Sequence, residues 1–534
     1  MIVDSISLEV FRNQLASIVE EMGIVLGRTA YSPNIKERLD YSCAVFDAAG
    51  RSVAQAEHIP VHLGAMAASV RAGIDRFAGT FTRGDLIILN DPFLGGTHLP
   101  DVTLISPVFA TDGPLIGFAA SRAHHADVGG ISPGSMPVST EIYQEGFIIP
   151  PLRLVREGRV NEEVLDLFFR NVRTPDERQG DLAAQMAANR IGEARLRDTA
   201  ARYGPDEFNE HVDSLISYGE GMVRSALQEV SPGTYRFRDQ METPPGTDSR
   251  PVIEVAITID GQGTMTVDFE GTSPEVTDGN INAVEAVTVS AVLYCVRCLA
   301  GPRAPGNEGV STPVTVIAPD GSLVRANPPR AVAAGNVETS QRIVDVVLGA
   351  LAKALPGRIP AASQGTMNNV TIGGDDPRTG MPFAYYETLA GGAGGGPKGP
   401  GGSAVHTHMT NTMNTPVEAL EYAYPFRVVE YRILRGSGGE GLNFGGDGLV
   451  RSVEFRGQAV VTVLSERRSM MPQGLDGGRP GSSGRNYLRR TKDSEIEEIP
   501  ATASVRVEPG DVLTVETPGG GGWGSPAPEG PAIP

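Results

Sequence analysis

Residues 90–130 read NDPFLGGTHLPDVTLISPVFATDGPLIGFAASRAHHADVGG and hold three of the chain's eight histidines, His98, His124 and His125, with Asp91, Asp101 and Asp127. Two apolar runs, 102–109 and 115–120, are split by Thr111-Asp112-Gly113. Asp-Gly between β-prone runs signals a hairpin, because the turn needs positive φ. Asp101 lies 11 positions before Asp112 and His124 lies 12 after it, so in a simple hairpin they face each other across the ladder. The count predicts that His98, Asp101 and His124 converge. Imidazole and carboxylate donors suit a divalent ion such as zinc, manganese or iron, and three protein ligands leave a position open for water. His125 and Asp127 are then candidates to orient ligands or shuttle protons. The plainer alternative is a set of polar loop residues bonding one another.

Outward from this stretch, apolar residues at three- and four-residue steps predict an amphipathic helix over 7–27, with Ser7 as N-cap. Asp40 then stands at the mouth of a strand in which Cys43 and Val45 face away from Ala44 and Phe46. A short helix over 65–77 and a strand over 86–89 lead into the hairpin. The pattern turns helical from 161 to about 229, with breaks near Pro175 and Tyr203-Gly204-Pro205. From Gly233 strands and helices interleave: a hairpin over 252–269, a helix over 283–299, a strand over 314–318 and a helix over 339–355. The expected class is mixed α+β. Its expected divisions are a metal-site region (1–160), a helical segment (161–232), a region completing the site (233–450), a C-terminal β region (451–525) and a disordered tail (526–534).

The net charge is −19, which argues against nucleic acid or an anionic membrane as partner. No apolar run approaches the roughly 18 residues that span a bilayer, and MIVDSISLEVFRNQ lacks a signal-peptide pattern. Three cysteines suit a reducing cytoplasm better than a disulfide framework. The 66 glycines and 40 prolines announce turns and loops without collagen-like period.

Other polar motifs carry blander readings. His58 and His62 in HIPVHLG read as satisfied loop histidines, and His211 as an exposed residue of a charged helix. Cys295-x-x-Cys298 lacks a second Cys pair and reads as small core residues on a helix. AGGAGGGPKGPGG (390–402) lacks the order of a phosphate-binding loop, so any ATP is expected on another chain. His406 and His408, in GGSAVHTHMTNTMNTP, read as part of a substrate- or partner-facing loop.

The segments ERLDYSCAVFD, AEHIPVHLG, NDPFLGGTHLPDVTLISPVF, SRAHHADVGGISPGSMP, VDFEGTSPEV, NVETSQRIVDVV, YYETLAGGAGG, HMTNTMNTPVEALE and SGGEGLNFGGDG together resemble the hydantoinase B family, in order from about residue 5 to Trp523. The resemblance implies a two-component, hetero-oligomeric enzyme. ATP is held by a hydantoinase A-like ATPase subunit, which phosphorylates the carbonyl oxygen of a small cyclic amide, and the hydantoinase B-like component completes the reaction at a divalent metal. The family's metal ligands fall on His98, Asp101 and His124, and Asp40 matches the Asp of its ERxDYS motif, placed at the same centre. The chain reads HHAD where acetone-type carboxylase subunits, which are longer, read HQYD.

The expected function is therefore the hydrolytic subunit of an ATP-dependent amidase opening a hydantoin, 5-oxoproline or lactam ring. Hydroxide generated at the metal attacks the activated carbon, Asp40 serves as base or fourth ligand, and His125 or Asp127 handles the departing nitrogen. Two readings stand beside it: a carboxylase joining bicarbonate-derived carbon to an enolate, and a scaffold for the ATPase partner.

Overall fold

The hairpin of residues 90–130 forms the middle of a seven-stranded antiparallel sheet. Its strands are β1 (Tyr41–Asp47), β2 (Ser52–Gln55), β3 (Leu86–Leu89), β4 (Asp101–Phe109), β5 (Leu115–His124), β6 (Leu152–Arg156) and β7 (Arg159–Val160), in the order β2-β1-β5-β4-β3-β6-β7. The computed structural model describes residues 3–56, 58–111, 113–242, 250–492 and 495–526. Asp112, on which the hairpin count pivots, and residues 527–534 of the expected tail lie outside the described residues. Asp101 pairs directly with His124. The unequal count of 11 and 12 is absorbed by a bulge, where pairing steps from Val108↔Gly117 to Phe109↔Leu115.

Nine helices among the described residues are α1 (Ser5–Thr29), α2 (Pro33–Lys36), α3 (His62–Phe77), α4 (Glu162–Arg170), α5 (Pro175–Tyr203), α6 (Pro205–Gln228), α7 (Glu285–Ala300), α8 (Ser340–Ala354) and α9 (Val417–Ala423). Strand alternation splits the first sheet between two cores. Cys43 and Val45 pack with Phe11, Leu15 and Met22 of α1 and with Ala184 and Ala188 of α5. Ala44 and Phe46 pack with Met66 and Val70 of α3. The cap of α1 is Asp4, whose carboxylate accepts from the N–H groups of Ile6 and Ser7 at 3.0 Å each. Ser7, expected in that role, instead lies inside the helix, its Oγ 3.0 Å from Nε2 of His211. His211 is correspondingly buried, packed on Phe11 and Tyr203, which overturns the exposed placement expected for it.

A second sheet comprises β8 (Gly233–Gln240), β9 (Val252–Ile259), β10 (Met265–Asp268) and β11 (Val314–Ile317), with β11 parallel to β10. It shares the largest core with α7 and α8. The remaining strands are β12 (Asn369–Asp375), β13 (Pro382–Thr388), β14 (Phe426–Leu434), β15 (Gly448–Phe455), β16 (Ala459–Leu464), β17 (Arg485–Arg489), β18 (Ile496–Ile499), β19 (Thr502–Val507) and β20 (Val512–Glu516). They form two sheets, β13-β12-β16-β19 and β14-β15-β20-β17-β18, around a common core that includes Ile372, Phe383, Leu449, Val461 and Leu513. The division expected at 450/451 falls inside β15. Strands from both sides of it pair within each sheet, so hydrogen bonding and core burial run straight across it.

The glycine-rich tail TPGGGGWG threads between three other glycine-containing segments. A Cβ at Gly519 would meet the Ser437 carbonyl oxygen at 2.0 Å, one at Gly520 that of Ala393 at 2.0 Å, one at Gly521 that of Gln473 at 2.1 Å, and one at Gly522 that of Glu440 at 2.1 Å. Gly519 and Gly522, three apart, face Ser437 and Glu440, also three apart, matching an extended helix of three residues per turn. Its N–H groups are paired outward, Gly520 to Gly446, Gly521 to Ala362 and Gly522 to Arg479, at 2.8–2.9 Å. The 390–402 stretch owes its glycines to this close packing, with Gly392, Gly394, Gly395 and Gly401 each against backbone.

Candidate active site

Three neighbouring strands end together. Asp101 opens β4, His124 closes β5 opposite it, and Asp40 immediately precedes β1, where its carbonyl accepts from the His124 N–H at 3.0 Å. His98 lies in the loop before β4, whose turn is closed by the Asp101 N–H on the His98 carbonyl at 3.1 Å. All four side chains are buried, Asp40 being the most exposed at 5%. They line one small cavity of about 20 Å³ with His62, Asn336, Tyr386, Thr388 and Thr412, room for about one water.

The carboxylate of Asp101 is the hub. Its Oδ2 lies 3.3 Å from Nε2 of His98 and 3.4 Å from Nε2 of His62, and accepts from the Thr97 hydroxyl. Burial pushes this carboxyl up, but His98 and His62 together outweigh burial and hold it well below the usual range. Burial pushes the Asp40 carboxyl up to about 7, against the pull of Arg38, and holds His124 well below the usual imidazole value, with His98 adding to the effect. The ring of Tyr386 stacks on His124, centroids 4.3 Å apart. Arg38 binds the Tyr386 carbonyl at 2.7 Å, the Thr388 hydroxyl at 2.8 Å and Oδ1 of Asn34. That grip turns the Asn34 amide nitrogen towards His124, donating to its carbonyl at 2.6 Å and standing 3.0 Å from Nδ1.

Whether these residues suit a divalent ion is decided by what they leave unpaired. Both ring nitrogens of His98, Oδ1 of Asp101, Nε2 of His124 and Oδ1 of Asn336 are buried without a hydrogen-bond partner. Such orphans are costly, and the donor types fit a zinc-, manganese- or iron-type ion. The spacing is not that of a closed ligand sphere: among the described residues no group of three or more His, Cys, Asp or Glu stands ready to hold a metal. Ligation through Nε2 of His124 also requires the Asn34 amide to turn, so that Nδ1 carries the ring proton.

The other expected residues divide. His125 does not join the cluster: its Nε2 donates to Oε1 of Gln185 on α5 at 2.8 Å. Asp127 does not join it either, because its carboxylate accepts from the N–H groups of Gly129, Gly134 and Arg173 and pairs with the Arg173 guanidinium at 2.9 Å. Neither lines the cavity. His62, read from sequence as a satisfied loop residue, opens α3 and reaches Asp101, while Ser42 Oγ holds its Nδ1 at 2.9 Å. His58 instead packs on Tyr41. Asn336 escaped the sequence reading altogether. It sits on a π-helical turn, Gly335–Thr339, that leads into α8, a local irregularity common at functional sites. NVETSQRIVDVV was the one available signal.

A larger cleft of about 710 Å³ adjoins the cavity, sharing Ile59, His62 and Thr410 with it. Its walls include Ala393 and Gly394, residues 405–408, and Tyr294, Arg297 and Cys298 of α7. Cys295 is buried, as expected of a core residue, but Cys298 is exposed. Three positions apart on a helix, the two do not share one environment.

The family model described as Hydantoinase B/oxoprolinase matches residues 4–526. The chain is 42% identical to 5-oxoprolinase 1 of Arabidopsis thaliana over 98% of its own length and 42% of that protein. It is 31% identical to one component of a putative D-/L-hydantoinase of Pseudomonas sp., covering 98% of this chain and 90% of that one. It thus spans about two fifths of the 5-oxoprolinase it matches. The crystal structure of the ATP-dependent caprolactamase from Pseudomonas jessenii superposes with a TM-score of 0.92 at 28% identity, covering 98% of this chain and 91% of that one. An acetone carboxylase structure, at 20% identity and a TM-score of 0.90 over 97% of this chain and 75% of that one, shares the fold. Among the described residues no helix is long and apolar enough to cross a membrane.

Proposed function

The chain belongs to the hydantoinase B/oxoprolinase family, and from that premise we propose that it is the hydrolytic component of an ATP-dependent cyclic amidase. It opens a hydantoin, 5-oxoproline or lactam ring after a separate ATPase subunit has phosphorylated the ring carbonyl oxygen. Relatives named as a 5-oxoprolinase, a hydantoinase component and a caprolactamase support the substrate class and the need for a partner.

The observation that carries the reading is the set of unpaired buried atoms on His98, Asp101 and His124, beside Asp40, at the inner end of a cleft. His98, Asp101 and His124 would hold a divalent ion, with Asp40 as fourth ligand or as base. When bound, such an ion lowers the pKa of water from 15.7 towards about 7. The chain's own contribution is placement. Asp101 and His124 are fixed by one ladder rung, Tyr386 backs the His124 ring, and His62 steadies the Asp101 carboxylate. Burial excludes bulk water from the reacting carbon and so protects the phosphorylated substrate from uncoupled hydrolysis.

The test combines the chain with its ATPase subunit and screens hydantoins, 5-oxoproline, lactams and ketones for substrate-stimulated ATP hydrolysis. The expected result is ring opening coupled to ATP turnover, with His98→Ala, Asp101→Ala or His124→Ala each removing both bound metal and ring opening. Variants that keep metal and coupled hydrolysis overturn the assignment, and bicarbonate incorporation from a ketone overturns the amidase reading.

A further inference from the structure

The five-stranded sheet has two edges, and they are built differently. At one, β18 reads Ile496-Glu497-Glu498-Ile499. A second copy laid antiparallel on that strand would set Glu against Glu at the centre, which keeps an edge unpaired. At the other, β14 pairs with β15, and among the described residues no strand lies on its far side. Its Val428 N–H donates to Oε1 of Glu421 on α9 at 2.8 Å. From the bulge at Val429 onward the strand reads Val429-Glu430-Tyr431-Arg432-Ile433, with its three uncharged side chains exposed.

The order apolar, acid, tyrosine, base, apolar is its own complement when reversed. Laid antiparallel on itself with Tyr431 facing Tyr431, β14 sets Glu430 opposite Arg432 on both sides of the axis and Val429 opposite Ile433. Moving the axis by one residue sets Glu430 on Glu430 or Arg432 on Arg432, so charge selects the register. Glu430 and Arg432 already pair within one chain, and strand alternation puts them on one face. In the paired strands the four charges therefore close into a ring of alternating sign. Tyr431 lies on the other face and is fixed before any partner arrives. The guanidinium of buried Arg451 stands 4.4 Å from its ring centroid, and its hydroxyl donates to Oδ1 of Asn414 at 3.1 Å. A large exposed side chain held in this way loses little conformational entropy on association.

We propose that β14 is a docking edge for a second copy of this chain, the two joining antiparallel about a two-fold axis at Tyr431 into one continuous sheet. A strand of an unrelated protein would need only an open edge, whereas a two-fold pair requires the self-complementary order found at 429–433. The seam is well short of the roughly 20–30 residues a side of a standard interface, so association is reversible and rises with concentration. Neither the edge nor its charge order depends on the amidase reading.

The test is sedimentation velocity on the full chain over a concentration series, with a monomer–dimer equilibrium as the expected result. Glu430→Arg and Arg432→Glu each weaken the dimer at least about tenfold, because each closes the ring with like charges. The double variant Glu430→Arg/Arg432→Glu restores it, which a fold defect in the single variants would not allow. Hydrogen exchange at 429–433 slows as the dimer forms. A chain that stays monomeric overturns the proposal, whether residues 429–433 exchange freely, are protected within the chain itself, or are covered only when the ATPase subunit is added. A dimer of equal strength in the wild type and both single variants overturns it as well.

Discussion

Nε2 of His62 stands 3.4 Å from Oδ2 of Asp101, so the first turn of α3 and the first residue of β4 meet on one oxygen. The Ser42 hydroxyl at Nδ1 fixes the other side of the ring. His62→Ala is expected to lower divalent-ion affinity by about 10–100-fold, the usual effect of losing a group that orients a ligand, while the fold persists. Metal content after dialysis and the thermal midpoint check both halves. Unchanged affinity would make His62 a packing residue only.

Asn336 presents a buried, unpartnered Oδ1 to the cavity. Such an atom costs stability of order 1–3 kcal/mol, which is tolerated where it serves a ligand. Asn336→Leu, which keeps the branched outline without the polar atoms, is expected to raise the thermal midpoint while cutting coupled ring opening at least about tenfold. Metal content should not change. A stabilised variant with full activity would remove Asn336 from the site.

Glu145 is buried where the Val332 and Ala333 N–H groups and the Ser139 hydroxyl donate to it. Burial nevertheless pushes its carboxyl up to about 7. A folded-state value above the unfolded one means that the folded chain binds the proton more tightly. Glu145 therefore stabilises most below about pH 4.5, and its contribution is lost as pH rises through about 7. The full swing is about 3 kcal/mol. Urea unfolding of the wild type and Glu145→Gln at pH 5, 6 and 8 should show the wild type losing stability relative to the variant as pH rises.

Gly520 has no room for a methyl group, since its Cβ would lie 2.0 Å from the Ala393 carbonyl oxygen. Gly520→Ala is expected to cost about 3 kcal/mol or more. Gly221→Ala, in open space on α6, should be neutral or stabilising by up to about 1 kcal/mol. Chemical denaturation of the pair separates the close approach from a general effect of losing glycine.

The rung that joins Asp101 to His124 was legible because a hairpin couples two sequence positions through simple counting, and the bulge at Val108–Phe109 left the far rung in register. The helix breaks at Pro175 and Gly204-Pro205 were legible because proline and glycine act locally. His62 and Asn336 were not, since each reaches the cavity from an element whose orientation depends on tertiary packing, α3 between the first sheet and α7 and a π turn before α8. His125 was misplaced by proximity: adjacent to His124 in sequence, it turns to α5 and Gln185 instead. Ser7 and His211 were each read as local features, a cap and an exposed helix residue, whereas they bond to one another across the chain.

The four-glycine rod also sets an order of assembly. All seven strands of the first sheet precede α6, so a nascent chain can pair Asp101 with His124 while most of the polypeptide is still being translated. Ala393 and Gly394, in the wall of the cleft, are packed by Gly520, and the Gly395 N–H beside them donates to the Gly521 carbonyl at 2.8 Å; both glycines leave the ribosome more than a hundred residues later. A chain cut short before Gly520 would keep the candidate ligands of the first sheet but lack the packing that backs the cleft wall at Ala393 and Gly394.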